Sequence, residues 1–383
     1  MNILFFASDN DKASGAFRSM VRLAYLLHSS YGHKVKVVLS RKGDGIELIS
    51  DSNIPYKVIR SYNWIVRKDE NRGLLFCIIK IIKEVLNSFA SLTIKREIVN
   101  ESIDLVHLNT SWTYIGAKAA KKTNTKFVWH IREFLEEDQN AEIWDKKTGY
   151  ELIGHSDKII AISQSIKEKY SKLVDPNKIC VIYNGLNVNQ FYIPERELFC
   201  HKCVRILILG TICEAKGQKE LIEACKILYE KGFNNYKVTI VGKGNVEYIQ
   251  ELRKLINSCG LERKIEFSGF SSDTLEKYRE NDITCVCSAS EAFGRVTVEA
   301  MLAGTLVIGA NTAATVELID DNYTGLLYTK GDAQDLASKI EWCFQNVLEA
   351  QNIAKNGQQK MKNNMSDDKN AKNVNDVYNS IMT

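Results

Sequence analysis

Apolar, β-favouring runs alternate with longer helix-patterned segments through the whole chain, and they do so in two successive series. In the first half the strand candidates are Asn2–Ala7, Lys34–Leu39, Tyr56–Ile59, Asp104–Leu108, Lys126–His130, Lys158–Ile162 and Ile179–Ile182. In the second they are Arg205–Leu209, Lys237–Val241, Lys264–Phe267, Asp282–Cys287, Leu306–Ile308 and Gly325–Tyr328. Near-continuous apolar strands separated by helices predict parallel sheets buried on both faces. Two such series predict an α/β protein of two Rossmann-like domains, and a length of 383 residues suits two domains. The seam falls where Asn184-Gly185 marks a turn and polarity rises. The expected division is 1–184, a linker over 185–203, and a second domain over 204–361. A last helix at about 362–383 is expected to pack back on the first domain. The tail from Gln351 is rich in Asn, Lys and Gln, and reads either as polar helix or as partly disordered.

Charge narrows the function. The chain has 51 Lys and Arg against 47 Asp and Glu, a net of +4, too balanced for a dedicated nucleic-acid binder. No run approaches the ~18 apolar residues of a membrane span. The opening Met1-Asn-Ile-Leu-Phe-Phe-Ala reads as a core strand rather than a signal peptide. Ten cysteines sit mostly in apolar runs, as in Cys285-Val-Cys287 and Cys77-Ile, where they behave as reduced core residues. Both features point to the cytosol. Cys200-His-Lys-Cys203 lacks the second pair that a zinc site needs, and no metal is expected.

The window Arg60–Asn100 holds eight basic and four acidic residues, so its net charge of +4 equals the excess of the whole chain. Within it Leu74–Leu92 is helix-patterned, with Lys80, Lys83 and Glu84 on its polar side. Two readings stay open: a core-facing helix with a solvated face, or a segment lying on an anionic membrane surface.

Phosphate loops of the G-x-x-x-x-G-K-[ST] type, H-E-x-x-H and G-x-S-x-G are all absent, and Gly242-Lys-Gly244 lacks the third glycine of a dinucleotide fingerprint. The informative stretch runs from Ser288 to Gly304. It follows a strand, at the carboxyl edge where open α/β sheets bind ligands. Glu291 precedes a tight Ala292-Phe293-Gly294-Arg295 turn, and a helix is expected from about Val296. The free amides of that helix's first turn suit a phosphate. Glu299 lies one turn in, in reach of a ribose diol. In Gly210-Thr211-Ile-Cys-Glu-Ala-Lys216-Gly217, Lys216 sits in a second strand-to-helix loop, where an ammonium can neutralise a leaving diphosphate. Ser14-Gly15-Ala16 is a third such loop. His130-Ile-Arg132-Glu133 ends another strand, its histidine placed for a sugar hydroxyl and Arg132–Glu133 suited to an ion pair. Solvent-facing caps, a surface lysine and a buried, satisfied histidine are the plain alternatives.

These residues in this order resemble the family 4 retaining glycosyltransferases of the GT-B fold, two Rossmann-like domains facing a central cleft. Glu291-Ala-Phe-Gly-Arg-Val-Thr-Val-Glu299 is close to the family's E-x7-E motif. Gly210…Lys216-Gly217, Ile240-Val-Gly242-Lys-Gly244, Phe267-Ser-Gly269 and Asn322-Tyr-Thr-Gly325 follow the same pattern. Ser14-Gly15-Ala16, Tyr31-Gly-His33, His130-Ile-Arg132-Glu133 and Asn184-Gly185 fit the acceptor domain. The resemblance implies a hexosyltransferase-type enzyme using a UDP- or GDP-sugar as co-substrate, with no tightly bound cofactor and no metal. Lys216, Glu291 and His130 would be catalytic. Glu299 would hold the ribose, Phe293 and Gly294 would offer amides to sugar and diphosphate, and Gly15 would approach the phosphates. Ala16, Gly210, Thr211, Gly242, Gly269, Ala292 and Arg295 would complete the donor site. Arg132 and Glu133 would stand with His130 on the acceptor side. Thr211 stands where many relatives have an arginine, which leaves less positive charge on the diphosphate and leaves open how its neutralisation divides between Lys216 and Arg295. The implied acceptor is a saccharide or lipid-linked saccharide of bacterial surface-polysaccharide synthesis, and the implied location is cytoplasmic or peripheral at the inner membrane face through 60–100. A nucleotide-sugar epimerase, a phosphorylase and a non-catalytic nucleotide-sugar-binding subunit remain alternatives.

Overall fold

The apolar runs fold as parallel strands in a computed structural model that describes residues 1–383. Two units divide the chain, Met1–Gly185 with Asp367–Thr383, and Leu186–Ser366. In the first, β1 (Asn2–Ala7), β2 (Lys34–Leu39), β3 (Tyr56–Val58), β5 (Leu105–Asn109), β6 (Lys126–Ile131), β8 (Lys158–Ala161) and β9 (Ile179–Val181) form a parallel sheet. Its order is β3-β2-β1-β5-β6-β8-β9. Two three-residue strands, β4 (Ile65–Arg67) and β7 (Ala141–Ile143), pair antiparallel beside it. They are too short to carry a periodic signal, and the sequence reading missed them.

In the second unit β10 (Val204–Leu209), β11 (Tyr236–Val241), β12 (Ile265–Gly269), β13 (Ile283–Val286), β14 (Leu306–Ala310) and β15 (Leu326–Tyr328) run in the order β12-β11-β10-β13-β14-β15. Counted within the unit, this is 3-2-1-4-5-6, the doubly wound order. The order in which strands are added therefore reverses beside β10, where its neighbours are β11 and β13, all parallel. The loops after β10 and β13 splay apart there, and such switch points bind ligands. The first unit has its own switch point at β1, between β2 and β5.

Burial on both sheet faces explains why the strands read as unbroken apolar runs. Leu105–Asn109 is buried at every position. Covering helices bury one stripe each: Gln218–Glu230 seats Leu221, Ile222, Ala224, Cys225 and Leu228. Each large side chain among these contributes about 1.5–3 kcal/mol.

Three expectations are revised. Residues 186–203 are not a free linker but part of the second unit: Leu198 is buried, and Phe199 N donates to Asp282 Oδ1 at 2.8 Å. The Asn-rich tail is helical, as Val347–Asn364 and Asp367–Met382. The second of these puts Ala371, Val374 and Tyr378 into the first unit's core. The largest revision is the helix Leu74–Asn100, which does not turn its apolar side to the core. Its polar side points inward. Asn87 is buried and bonds Tyr62 and Tyr114, and Glu84 accepts from Tyr114 OH at 2.7 Å and Lys118 Nζ at 3.1 Å. Leucines and isoleucines point outward, and Cys77, expected in the core, is exposed with them.

Candidate functional site

In the second unit the loops after β10 and β13 are stitched together, Ala289 N donating to Ala215 O at 2.8 Å. Glu214–Lys216 form one 3-10 turn, closed by Gly217 at φ +71°. A side chain at 217 would put its Cβ 2.2 Å from the Cys287 carbonyl oxygen, so only glycine lets the two loops come this close. That approach brings Lys216 Nζ to Glu291 Oε1 at 2.5 Å. Ser288 Oγ donates to the same oxygen at 2.6 Å. Neither side chain is fully buried, Lys216 being 33% exposed and Glu291 17%, so the pair is open to a ligand.

Gly294 sits at φ +85° and starts the helix Arg295–Leu302 without any side-chain cap. Amides of the first turn have no partner within a helix and carry the positive end of its dipole. Thr297 Oγ1 is buried there with no hydrogen-bond partner. Glu299 is buried rather than outward-facing. Arg295 Nε donates to its Oε1 at 2.6 Å and Tyr278 OH to its Oε2 at 3.2 Å. Gly210, Gly242 and Gly269 end three neighbouring strands: Gly242 N donates to Gly269 O at 2.8 Å, and a Cβ on Gly242 would meet Gly210 O. Thr211 is exposed, and its carbonyl accepts from Gln218 Nε2 at 3.0 Å. Lys216, Glu291, Ala292, Phe293, Gly294 and Arg295 thus gather at the switch point.

The first unit holds a separate cavity of 560 Å³ at its own switch point. Ser8, Asp9, Ser14 and Ala16 line it from the β1 side, and Thr110, Trp112 and Thr113 from the β5 side. Arg41, Arg60, Lys83 and Arg132 outnumber Asp9 and Glu133 in its wall. Ser14 caps the helix Gly15–Ser29, its side chain accepting from Phe17 N. Asp9 and Asp11 cap the loop: Asp11 Oδ1 accepts from Ala13 N, and Asp9 from Ser14 Oγ.

His130 lies behind this wall, fully buried. Arg132 Nη2 and His107 Nε2 both stand 3.3 Å from its Nδ1, and Tyr378 OH stands 2.5 Å from His107 Nδ1. Arginine can only donate, so Nδ1 of His130 accepts and its proton sits on Nε2. That Nε2 is buried without a partner. Burial and the Arg132 charge hold both imidazoles well below their ordinary range, hence neutral. The anticipated Arg132–Glu133 ion pair is replaced by other partners. The guanidinium goes to Asn109 Oδ1 at 2.6 Å and to Asn184, while Glu133 accepts from Ser111 N at 2.6 Å and from Ser111 Oγ. Burial draws Arg132 down to about 10, still charged at neutral pH, and pushes the Glu133 carboxyl up.

Sequence reasoning missed Ser288, Tyr278, His107, Asn109, Ser111 and Tyr378. Each is an ordinary residue in an ordinary strand, loop or helix, and only its spatial partner singles it out.

Comparison with known proteins agrees with this division. The profile of the family described as "Glycosyltransferase Family 4" matches residues 13–190, and that of "Glycosyl transferases group 1" matches residues 193–360. The chain is 28% identical to the capsular polysaccharide biosynthesis glycosyltransferase CapM of Staphylococcus aureus, over 58% of this chain and 62% of that protein. It is 31% identical to the amylovoran biosynthesis glycosyltransferase AmsK of Erwinia amylovora, over 50% of this chain and 49% of that one. The chain thus spans about half to three-fifths of the length of these relatives. Among solved structures, Anabaena HepE in complex with UDP superposes with a TM-score of 0.80 at 22% identity, covering 99% of this chain and 100% of that one. This last likeness is one of fold, GT-B.

Proposed function

The chain belongs to the glycosyltransferases of family 4 and group 1, and from that premise we propose that it moves a sugar from a UDP- or GDP-sugar to an acceptor hydroxyl with retention of anomeric configuration, in the synthesis of a bacterial surface polysaccharide. The observation that carries the reading is the Lys216–Glu291 pair beside the uncapped start of the helix Arg295–Leu302. An ammonium and free amides are what a departing diphosphate needs, and they act best preorganised and shielded from water. HepE's complex with UDP makes the uridine nucleotide the first donor to test.

In this reading the bond from the anomeric carbon to the β-phosphate oxygen breaks and the acceptor oxygen bonds that carbon from the same face. The acceptor proton passes to the departing phosphate. Lys216 and the amides of Gly294 and Arg295 carry the growing diphosphate charge. Glu291, held by Ser288, accepts from hydroxyls of the transferred sugar. Glu299 takes the ribose diol only after Arg295 lets go of it, and Arg295 is then free to meet a phosphate. His130, whose Nε2–H lacks a partner, donates to the sugar on the acceptor side with Arg132 and Glu133. Gly15 and Ala16 bring backbone amides to the donor phosphates. CapM and AmsK support a capsule or exopolysaccharide product. The proposed place is the inner face of the membrane.

Titration calorimetry with UDP and GDP, followed by release of nucleotide from matched UDP-sugars, tests the reading. One nucleotide should bind wild type, and Lys216→Ala should weaken it about tenfold or more, the effect of removing one charged hydrogen bond of ~1.5–3 kcal/mol. Binding of neither nucleotide overturns it. Conversion of the donor sugar without any acceptor would point to an epimerase instead.

A further inference from the structure

Positive charge gathers without partners in the wall of the first unit's 560 Å³ cavity. Of its four cations, Arg132 is committed to Asn109, Asn184 and His130. Arg41, Arg60 and Lys83 form no salt bridge. Arg60 stands 5.9 Å over the Tyr62 ring and Lys83 5.8 Å over that of Trp144, while Arg41 reaches Asp9 only through its field. The two carboxylates of the wall are already occupied: Asp9 accepts from Asp11 N and Ser14 Oγ, and Glu133 from Ser111 N and Arg132 N. Unpaired cations in a concave wall focus a positive potential on whatever enters. Their placement is lopsided. Arg41 follows β2 and Arg60 follows β3, on one side of β1, whereas Arg132 follows β6 on the other. With strands about 4.8 Å apart, the ends of β3 and β6 are separated by roughly 19 Å. Tyr62 and Trp112, both half-buried, add aromatic surface suited to the C–H faces of a sugar ring.

We propose that this cavity takes an acidic saccharide as the acceptor, its carboxylate or phosphate group held by Arg41, Arg60 and Lys83. That the saccharide is an acceptor rests on the sugar-transfer reading; the anion site does not. Guanidinium forks match either oxyanion with two parallel hydrogen bonds, and an ammonium adds a third donor. A neutral saccharide would leave three like charges in the wall with no counter-charge between them. The donor's diphosphate is a poorer occupant, because Lys216 and the first-turn amides of the second unit already answer its charge. The arginines also enter beyond β2 and β3 rather than from the Ser14-Gly15-Ala16 loop after β1. A volume of 560 Å³ lies within the ~300–1,000 Å³ of ligand pockets and is far too large for a bare ion. Lys83 also lines a second cavity of 310 Å³, where it stands with Lys80 and Trp144 against Glu70, so the positive wall continues for a longer acidic chain. The acidic group is thereby read at the β2–β3 end, well away from a hydroxyl presented beside Arg132.

Titration calorimetry of the full chain without donor tests it. Trigalacturonic acid and glucose 6-phosphate are the acidic probes, maltotriose and glucose their neutral counterparts, and inorganic phosphate the bare ion. At least one acidic probe should bind about tenfold or more tightly than its counterpart, and about 0.5 M NaCl should weaken it severalfold, since exposed charges are screened. The double variant Arg41→Gln, Arg60→Gln should lose about tenfold of that affinity, the effect of removing charged hydrogen bonds. It should keep the wild-type melting temperature and UDP affinity, because both side chains are exposed. Equal binding of acidic and neutral probes overturns the proposal, as does no binding of either acidic probe. So does inorganic phosphate that binds as tightly as the acidic probes, which would mean an ion site with no place for sugar. A double variant that weakens UDP as much as the acidic probe would assign the arginines to the donor and overturns it too. Absence of UDP binding to wild type, with the acidic preference intact, would remove the sugar-transfer reading and leave the anion site standing.

Discussion

Lys216 and Glu291, 75 residues apart in the chain, meet at 2.5 Å because glycine at 217 lets the loop after β10 settle against the carbonyl of Cys287. The pair holds a cation and an anion in register before any ligand arrives. A diphosphate and a sugar would each replace one partner, so the side chains need not be organised afresh.

Lys216→Ala should lower kcat for sugar transfer by about 10²–10³, the loss that follows removal of one preorganised charge-stabilising donor. Glu291→Gln keeps the bond from Ser288 but loses the charge, and should lower kcat less than Glu291→Ala. Steady-state kinetics with the cognate donor checks both. Rates within about threefold of wild type in Lys216→Ala would remove its assigned role.

Gly294→Ala forces a Cβ onto a φ of +85°, 3.0 Å from Leu318 Cδ1. The strain should cost about 1–2 kcal/mol and shift the helix start, weakening nucleotide binding along with stability. Gly217→Ala meets backbone rather than a yielding side chain, and should be the worse of the two. Denaturant titration of both variants ranks them, and the opposite order would contradict the close approach of the two loops.

Tyr378 anchors the last helix through His107. Tyr378→Phe leaves a buried imidazole nitrogen unpaired and should cost about 1–3 kcal/mol in urea unfolding. An unchanged midpoint would mean that the packing of Ala371 and Val374 alone holds the helix.

His107 and His130 are buried and neutral in the fold, with affinities for protons far below those of the unfolded chain. Below about pH 6.5 the unfolded state binds protons that the native state refuses, so stability falls as pH falls, by at most ~1.4 kcal/mol per unit for each histidine. Glu133 acts oppositely: its raised carboxyl takes a proton in the fold before it would in the unfolded chain. Asp9, its carboxyl also raised by burial, acts with Glu133, but carboxyls ordinarily titrate well below pH 6.5, so the two histidines leave a net loss from pH 6.5 toward 5. Unfolding free energies at pH 7.5, 6.5 and 5.5 should show it, and the double variant His107→Asn, His130→Asn should flatten the slope.

Thiol reagents should modify Cys77 and Cys200, both exposed, at once in the native protein. Cys225, Cys285, Cys287 and Cys343 are buried and should react only on unfolding. Mass spectrometry after brief labelling distinguishes the two groups, and fast labelling at Cys285 would contradict its place in β13.

Much of this protein was written locally. Unbroken apolar runs specify parallel strands, because a strand covered on both faces has no polar side to show, and β1 and β2 fall at the residues their pattern predicts. Gly294 and Gly217 were legible as turns, since few other residues tolerate their backbone angles. Tertiary structure decided the rest. That Glu299 is covered by Arg295 and Tyr278, that Arg132 passes over Glu133 for Asn109, and that His130 ends with an orphaned proton all depend on partners distant in sequence. The long helix is the clearest case. Periodicity shows that Leu74–Asn100 has two unlike faces, but which face turns inward is settled by what lies beneath it, here the Tyr62 backbone, the Tyr114 hydroxyl and the Trp144 ring, which bind amide, carboxylate and ammonium groups and leave the aliphatic side chains to the outside.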